Sequence, residues 1–203
     1  MKVIAMPVGS YQTNCYMVYN ENSETCVLID PGYQPEELLE QIRIKGKTLE
    51  AILLTHGHFD HVGAVEHLVR ETGCKLWMNQ GDYTQFKTPE NDFFYPIHDS
   101  NFTQISFCEE GETIPAAGLT FTVMETPGHT WGSVCYICRD VIFSGDTLFQ
   151  GSCGRTDLPG GDGQNLQGSL RRLAQLQGEY RILPGHGPSS TLSEEKRSNP
   201  FMQ

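Results

Sequence analysis

Short apolar runs punctuated by Gly, Pro, Asn and Asp organise the first third of the chain. KVIAMPV, NCYMVYN and TCVLIDPG have strand-length apolar content between turn residues, and their close succession predicts a meander. QPEELLEQIRIKG changes period. Pro stands near its start, acids fill its first turn and Gly46 follows the last apolar position, so it predicts a helix. LEAILLT is a continuous apolar run, the pattern of a strand covered on both faces. HVGAVEHLVRETGC returns to helical spacing, with Val62, Val65, Leu68 and Val69 on one side, and CKLWMN predicts the next strand. This alternation of strand and helix implies parallel pairing in an α/β layered architecture.

Residues 79 to 112 lose that rhythm. They carry Tyr83, Phe86, Phe93, Phe94, Tyr95, Phe102 and Phe107 without a period, which suits a lid or interface as well as rings that cap the core. The second half then resumes with strands in GLTFTVMETPG, GSVCYICRD and VIFSGDTLF. GSCGRTDLPGGDG is a glycine-rich loop, NLQGSLRRLAQLQG a helix, YRILPGHG a strand running into a turn, and LSEEKRSNP a final helix. No linker separates the halves. Residues 1–203 are expected to form one domain of two sheet-bearing halves packed face to face.

Composition narrows the function classes. The 203 residues, 38% of them hydrophobic, are enough for a substantial core. No apolar run approaches the roughly 20 residues that span a bilayer. The first twenty residues have one Lys and a broken apolar pattern rather than a signal peptide's apolar stretch, so a cytoplasmic protein with no membrane partner is expected. The net charge is -11 and Lys and Arg are scattered, which argues against a nucleic-acid partner. Seven cysteines, an odd number, read as reduced thiols. Cys135 and Cys138 form a C-x-x-C, but within a strand such a pair points to opposite faces and can neither chelate one ion nor bridge easily.

The candidate chemistry sits at strand ends. LLTHGHFDHVGA places His56 and His58 two apart in an extended turn, with Asp60 and His61 entering the next helix. Imidazole nitrogen and carboxylate oxygen are the usual donors to zinc. ETPGHTWGS, VIFSGDTLF and RILPGHGPS add His129, Asp146 and His186, each just after a strand. Flanking glycines permit close backbone approach there. Any one of these histidines alone would be read as an ordinary polar residue. The ordered set H-x-H-x-D-H, P-G-H-T, G-D-T and P-G-H-G points to a metal. His67 and His98 lie elsewhere and read as ordinary surface or core residues.

In that order, THGHFDH, TPGHTWGSV, FSGDTLF and LPGHG resemble the metallo-β-lactamase-fold hydrolases over nearly the whole chain. The resemblance is strongest to the hydroxyacylglutathione hydrolase (glyoxalase II) branch and its short bacterial relatives, whose loop GDTLFQGSCGRTDLPGGD matches in style. It implies a four-layer αβ/βα sandwich: two mixed sheets face to face, helices outside, and two divalent metal ions at one edge. It implies that His56, His58 and His129 hold the first ion, that Asp60, His61 and His186 hold the second, and that Asp146 bridges them. Asp60 and Asp146 are then the catalytic carboxylates. Asp30, in VLIDPG, matches an aspartate that supports the histidine loop, although from the residues alone it is equally an Asp-Pro-Gly turn. The implied reaction is attack of a metal-bridging hydroxide on the carbonyl of a thioester such as S-D-lactoylglutathione, a metal-bound water having its pKa lowered to about 7. Zinc suits the donors, and iron and manganese accept the same ones.

The resemblance thins in places. The longer enzymes add a helical region that binds glutathione carboxylates, and only 17 residues follow His186 here. Arg155 matches a basic substrate-binding position, but Asp157 stands where an aromatic is common, and Trp131 where Pro is usual. Cys153 has no assigned role. Three other readings compete with a thioester hydrolase. One is a same-fold hydrolase of lactones, phosphodiesters or amides; β-lactams are not expected without a secretion signal. Another is a mononuclear iron persulfide dioxygenase, which would leave Asp60, His61 and His186 without a purpose. The last is a non-enzymatic scaffold, which needs no complete second site. The substrate is expected to be a small molecule, and the sequence does not predict an oligomeric state.

Overall fold

The computed structural model describes residues 1–86 and 105–203. Its first sheet takes its strands in chain order: β1 (Lys2–Val8), β2 (Thr13–Tyr19), β3 (Thr25–Ile29), β4 (Thr48–Leu53), β5 (Lys75–Met78) and β6 (Ile105–Phe107). β1, β2 and β3 pair antiparallel, as the expected meander. From β3 to β6 the pairing is parallel. Helix α1 (Pro35–Ile44) makes the first crossover. Its proline stands at the helix start, where no amide partner is needed, and Gly46 turns the chain out at φ 62°.

The second crossover differs from the single helix expected over residues 61 to 74. It is split into α2 (Phe59–Val62) and α3 (Val65–Thr72). At the break the amide of Ala64 donates to the carbonyl of Pro31 (3.0 Å), and a Cβ on Gly63 would stand 2.3 Å from the carbonyl oxygen of Gly32. The helix stops because the loop after β3 packs onto it. Helix α4 (Gln80–Phe86) follows β5.

The second sheet contains β7 (Thr113–Ala116), β8 (Leu119–Glu125), β9 (Val134–Cys138) and β10 (Val141–Gly145). After a small hairpin of β11 (Leu148–Phe149) and β12 (Ser152–Cys153) and the helix α5 (Gly163–Gln175), β13 (Arg181–Pro184) and β14 (Ser190–Thr191) complete it. β13 pairs parallel with β10, and β8 and β10 are each antiparallel to β9. β8, β10 and β13 therefore run in one direction. Helix α6 (Leu192–Ser198) and a short turn at Pro200–Met202 end the chain.

The two sheets pack face to face. Val27, Ile29 and Leu53 from the first meet Phe121, Tyr136 and Phe143 from the second in one buried cluster. Leu38 and Ile42 of α1 and Leu68 of α3 cover the outer face of the first sheet, over Leu28, Ile52 and Leu76. Leu166, Leu170 and Leu173 of α5 and Leu192 of α6 cover the second, over Ile142 and Ile182. This is the four-layer sandwich. Burial on both faces explains the unbroken apolar run of β4: Ile52 and Leu54 face the helices, Ala51 and Leu53 the opposing sheet. On β9, Cys135 faces α5 and Cys138 the inner cluster, so the pair is divided between faces as its spacing requires. Every described cysteine is a free thiol.

Of the aromatic segment, Phe93, Phe94, Tyr95 and Phe102 lie outside the described residues, as does His98. Tyr83 packs against the outer core cluster and stands 5.1 Å from the Phe107 ring, which supports capping for those two. Trp131 is 40% exposed and lies over Gly160 rather than in the cavity described below. Among the described residues no helix is long and apolar enough to cross a membrane.

Candidate metal centre

Strands that run the same way deliver their next residues to one edge, the usual place for ligands in open α/β sheets. Here β3 is followed by Asp30, β4 by Thr55 and His56, β8 by His129, β10 by Asp146 and β13 by His186. The two sheets are tied at that edge, where the amide of Val134 donates to the carbonyl of Thr55 (2.8 Å) and the Tyr136 hydroxyl to that of Leu54 (2.9 Å).

Two triads result. Ligand atoms of His56, His58 and His129 converge, as do those of Asp60, His61 and His186, each set within 4.8 Å. In the first, His58 Nδ1 is 2.9 Å from His129 Nε2. In the second, His186 Nε2 stands 3.3 Å from both His61 Nε2 and Asp60 Oδ2. Asp146 lies between the sets. Its Oδ1 is 3.5 Å from His61 Nε2, and its Oδ2 is 3.6 Å from His129 Nε2 and 3.5 Å from His186 Nε2. Donors bound at about 2.1 Å around one tetrahedral ion stand about 3.4 Å apart, close to these spacings. His67, in contrast, sits on the surface of α3, 3.8 Å from Glu36.

The outer partners leave the right nitrogens free for an ion. His129 Nδ1 faces the carbonyl of Arg155 (2.8 Å) and His186 Nδ1 that of Tyr11 (3.2 Å), so both donate there and keep Nε2 as acceptor. Asp30 does the same for the other loop. Its Oδ1 accepts the Thr55 amide (2.8 Å), and its Oδ2 accepts the Thr55 hydroxyl (2.6 Å) and faces His61 Nδ1 (3.0 Å). The Thr55 oxygen lies 3.0 Å from His56 Nδ1. Asp30 is 2% exposed and holds a left-handed backbone, φ 52°, a strained conformation that aspartate tolerates better than most residues. It is therefore more than a turn residue. Among the described residues, His56 Nε2 and Asp146 Oδ1 are buried without any hydrogen-bond partner, as donors awaiting a cation would be.

Charge differs between the triads in the metal-free protein. Burial holds the His56 pKa well below its usual value and brings that of His58 down to about 3, with neighbouring imidazoles adding to both shifts. Burial lowers His129 as well. These three imidazoles are neutral near pH 7. For His61 burial also opposes the charge, but Asp146, Asp30 and Asp60 outweigh it and raise the pKa to about 9. His186 is raised despite burial by Asp60 and Asp146. Asp60, although buried, is held well below the carboxylate range by His186 and His61.

Several supporting residues gave no sequence signal strong enough to single out. Thr13 donates its hydroxyl to Asp60 Oδ2 (3.1 Å). The Asn14 amide nitrogen donates to the carbonyls of Pro184 (3.0 Å) and Gly187 (2.9 Å), and the Tyr16 hydroxyl to Pro184 (2.7 Å), so β2 fixes the His186 turn. Gly185 must be a glycine, because a Cβ there would stand 2.2 Å from Asp146 Oδ1.

Above the triads is a cavity of about 700 Å³, with Tyr11, Phe59, Phe149 and Leu158 on its apolar walls and Arg155 and Cys153 at its lining. Tyr11 and Phe59 stack edge to face at 5.4 Å. The Arg155 guanidinium is paired with Asp157 through two bonds of 2.6 and 2.7 Å. The hairpin that carries Phe149, Ser152 and Cys153 is strapped by α6. Asn199 Nδ2 donates to the carbonyls of Phe149 (3.3 Å) and Ser152 (3.0 Å), and Glu195 accepts from the Gly151 amide (2.8 Å).

A layered α/β sandwich with two His/Asp clusters at one edge supports a dinuclear divalent metal centre of hydrolase type. The profile of the Metallo-beta-lactamase superfamily matches residues 8–186, and the chain belongs to that superfamily. It is 38% identical to hydroxyacylglutathione hydrolase GloC of Haemophilus influenzae, over 100% of this chain and 98% of that one. Among solved structures it is similar to the BLEG-1 B3 metallo-beta-lactamase, with a TM-score of 0.87 and 34% identity over 100% of both chains. It is likewise similar to TTHA1623 in a di-iron-bound form, with a TM-score of 0.83 and 40% identity over 98% of this chain and 100% of that one. ETHE1 from Myxococcus xanthus has a TM-score of 0.83 and 28% identity, over 98% and 84%.

Proposed function

We propose that this chain is a dinuclear metal-dependent hydrolase that converts a small thioester and water into a carboxylic acid and a thiol. The observation that supports it best is the completeness of both triads around Asp146. A mononuclear iron dioxygenase has no need of Asp60, His61 and His186 together. The likeness to a hydroxyacylglutathione hydrolase favours S-D-lactoylglutathione as reference substrate.

In this reading His56, His58 and His129 would hold one ion and Asp60, His61 and His186 the other, with the Asp146 carboxylate, which lies between the two sets, within reach of both. Bound divalent ions supply a water acidified towards neutral pH and positive charge beside the carbonyl oxygen. The chain's own residues do the rest. Asp60, ionised and fixed by Thr13, would orient a water proton through its carboxylate. Asp146 holds both triads on one point. Asp30 and the carbonyl of Arg155 keep His61 and His129 in the tautomer that presents Nε2. Tyr11, Phe59, Phe149 and Leu158 receive the apolar parts of the substrate. Arg155 receives a carboxylate, in competition with Asp157. Zinc is the proposed metal on donor type, with iron kept open by the likeness to a di-iron protein. The free thiols fit a cytoplasmic setting, and we read residues 1–203 as one domain.

The test is metal analysis of the purified protein together with thioester turnover. Two ions per chain and turnover of S-D-lactoylglutathione, read at its thioester absorbance, are expected. One iron with oxygen uptake on glutathione persulfide would overturn the reading in favour of the dioxygenase. Two ions without thioester turnover would move it to another hydrolase of this fold. A β-lactam belongs in that panel because of the likeness to a B3 enzyme.

A further inference from the structure

One buried carboxylate has no part in the chemistry above. Asp82, on α4, is 0% exposed. Its Oδ2 accepts the Gly57 amide (2.8 Å) and the Thr130 hydroxyl (2.8 Å), and its Oδ1 accepts the Gly132 amide (2.6 Å). Gly57 lies between His56 and His58, and Thr130 follows His129. One side chain therefore joins the two loops that furnish the first triad, and these loops come from different sheets.

Packing supports the same point. A Cβ on Gly132 would stand 2.6 Å from the Asp82 amide nitrogen and 2.9 Å from its Oδ1, so the second loop is shaped to let α4 approach. Burying a carboxylate is costly unless its oxygens are hydrogen-bonded. Burial pushes the Asp82 pKa up to about 6, against the pull of its three donors. Donors converging on both oxygens require a group that only accepts. An asparagine would turn an N–H towards one of them. A carboxylate accepts from all three donors here, at the burial cost that a neutral residue would avoid.

We propose that Asp82 is a positioning residue of the first triad, fixing the spacing between the His56–His58 turn and His129 and thereby the affinity and geometry of the ion held there. The proposal rests on the metal-centre reading and not on the thioester. Its position is the reverse of Asp30, which orders Thr55, His56 and His61 within one loop system. Asp82 acts between loops.

The experiment compares wild type, Asp82→Asn and Glu195→Gln. Glu195 is an equally buried carboxylate that straps the cavity hairpin and touches no triad loop. Metal-free proteins are checked by circular dichroism and thermal melting. They are then titrated with Co(II), followed by visible absorption, and with Zn(II) against a chelator. We expect Asp82→Asn to bind the first ion about 10- to 100-fold more weakly and to shift the Co(II) bands of the first equivalent. Glu195→Gln should lower the melting temperature while leaving first-ion affinity and bands as in wild type. Thr130→Val, which removes a single donor, should show the same change in milder form and stands in if Asp82→Asn does not fold. Wild-type affinity and bands in both Asp82→Asn and Thr130→Val would overturn the proposal. So would equal losses in Asp82→Asn and Glu195→Gln, which would make general destabilisation the cause. Wild type that takes up no ion would overturn the metal-centre reading along with it, whereas ion uptake without thioester turnover leaves Asp82 to be judged on the titrations alone.

Discussion

His56, His58 and His129 are each at most 4% exposed, whereas the His186 side chain keeps 28% of its surface in solvent. The first triad is three neutral nitrogens clamped from behind. The second includes a carboxylate, a raised His61 and an open side. Depth favours retention of an ion in the first. Formal charge favours capture in the second, together with easier loss. On the proposed reading, one centre would combine a protected ion with a more exchangeable one.

Deleting one ligand from each side tests that contrast most severely. His129→Ala should lower turnover by more than about 100-fold, exceeding the usual cost of removing a supporting residue. It should also reduce total metal below that of wild type. Asp60→Ala should lose mainly the second ion, leave the fold and the first ion in place, and cost at least about 10-fold in turnover. Metal analysis and kinetics on both variants decide it. Full metal and full activity in Asp60→Ala would remove Asp60 from the centre.

Acid and base should strike the two sides separately in the metal-free protein. His58 titrates at about 3 when folded, against about 6.5 unfolded, so the unfolded chain binds more protons between those values. Stability is therefore lost as pH falls below the unfolded value. His61 titrates at about 9, so its charged form stabilises the folded state fully below about 6.5, and that contribution fades as pH rises through the folded value. Melting temperature against pH should show a maximum between these limits, and bound metal should flatten it. An unchanged alkaline limb in His61→Ala would contradict the assignment.

The smallest expected effect lies at the cavity mouth. Arg155 and Asp157 are both largely exposed, and solvent screens such a pair strongly. Arg155→Ala should raise KM for a carboxylate-bearing thioester by a few-fold and leave kcat nearly unchanged. Steady-state kinetics on charged and uncharged thioesters would show it, and an unaltered KM would take Arg155 out of the pocket.

The side chains that the fold brings together at one edge were legible because each follows an apolar strand and sits beside glycine or at a helix start. Parallel strands were legible because β4 reads as apolar on both faces. The break between α2 and α3 was not, since it depends on Pro31 and Gly32 arriving from another loop. Nor was Asp82, a lone acid in NQGDYTQF whose three donors come from residues 57, 130 and 132. Asp157 was visible two places after Arg155, but only coordinates show the two side chains closed on each other. Long-range partners of this kind leave no periodic trace in a single chain.

The strap from α6 to the hairpin has a practical consequence. Residues 195 and 199 hold the backbone that presents Phe149 and Ser152, which belong to neither converging triad. Shortening or tagging the chain near that helix would reshape the cavity wall that Phe149 and Ser152 form.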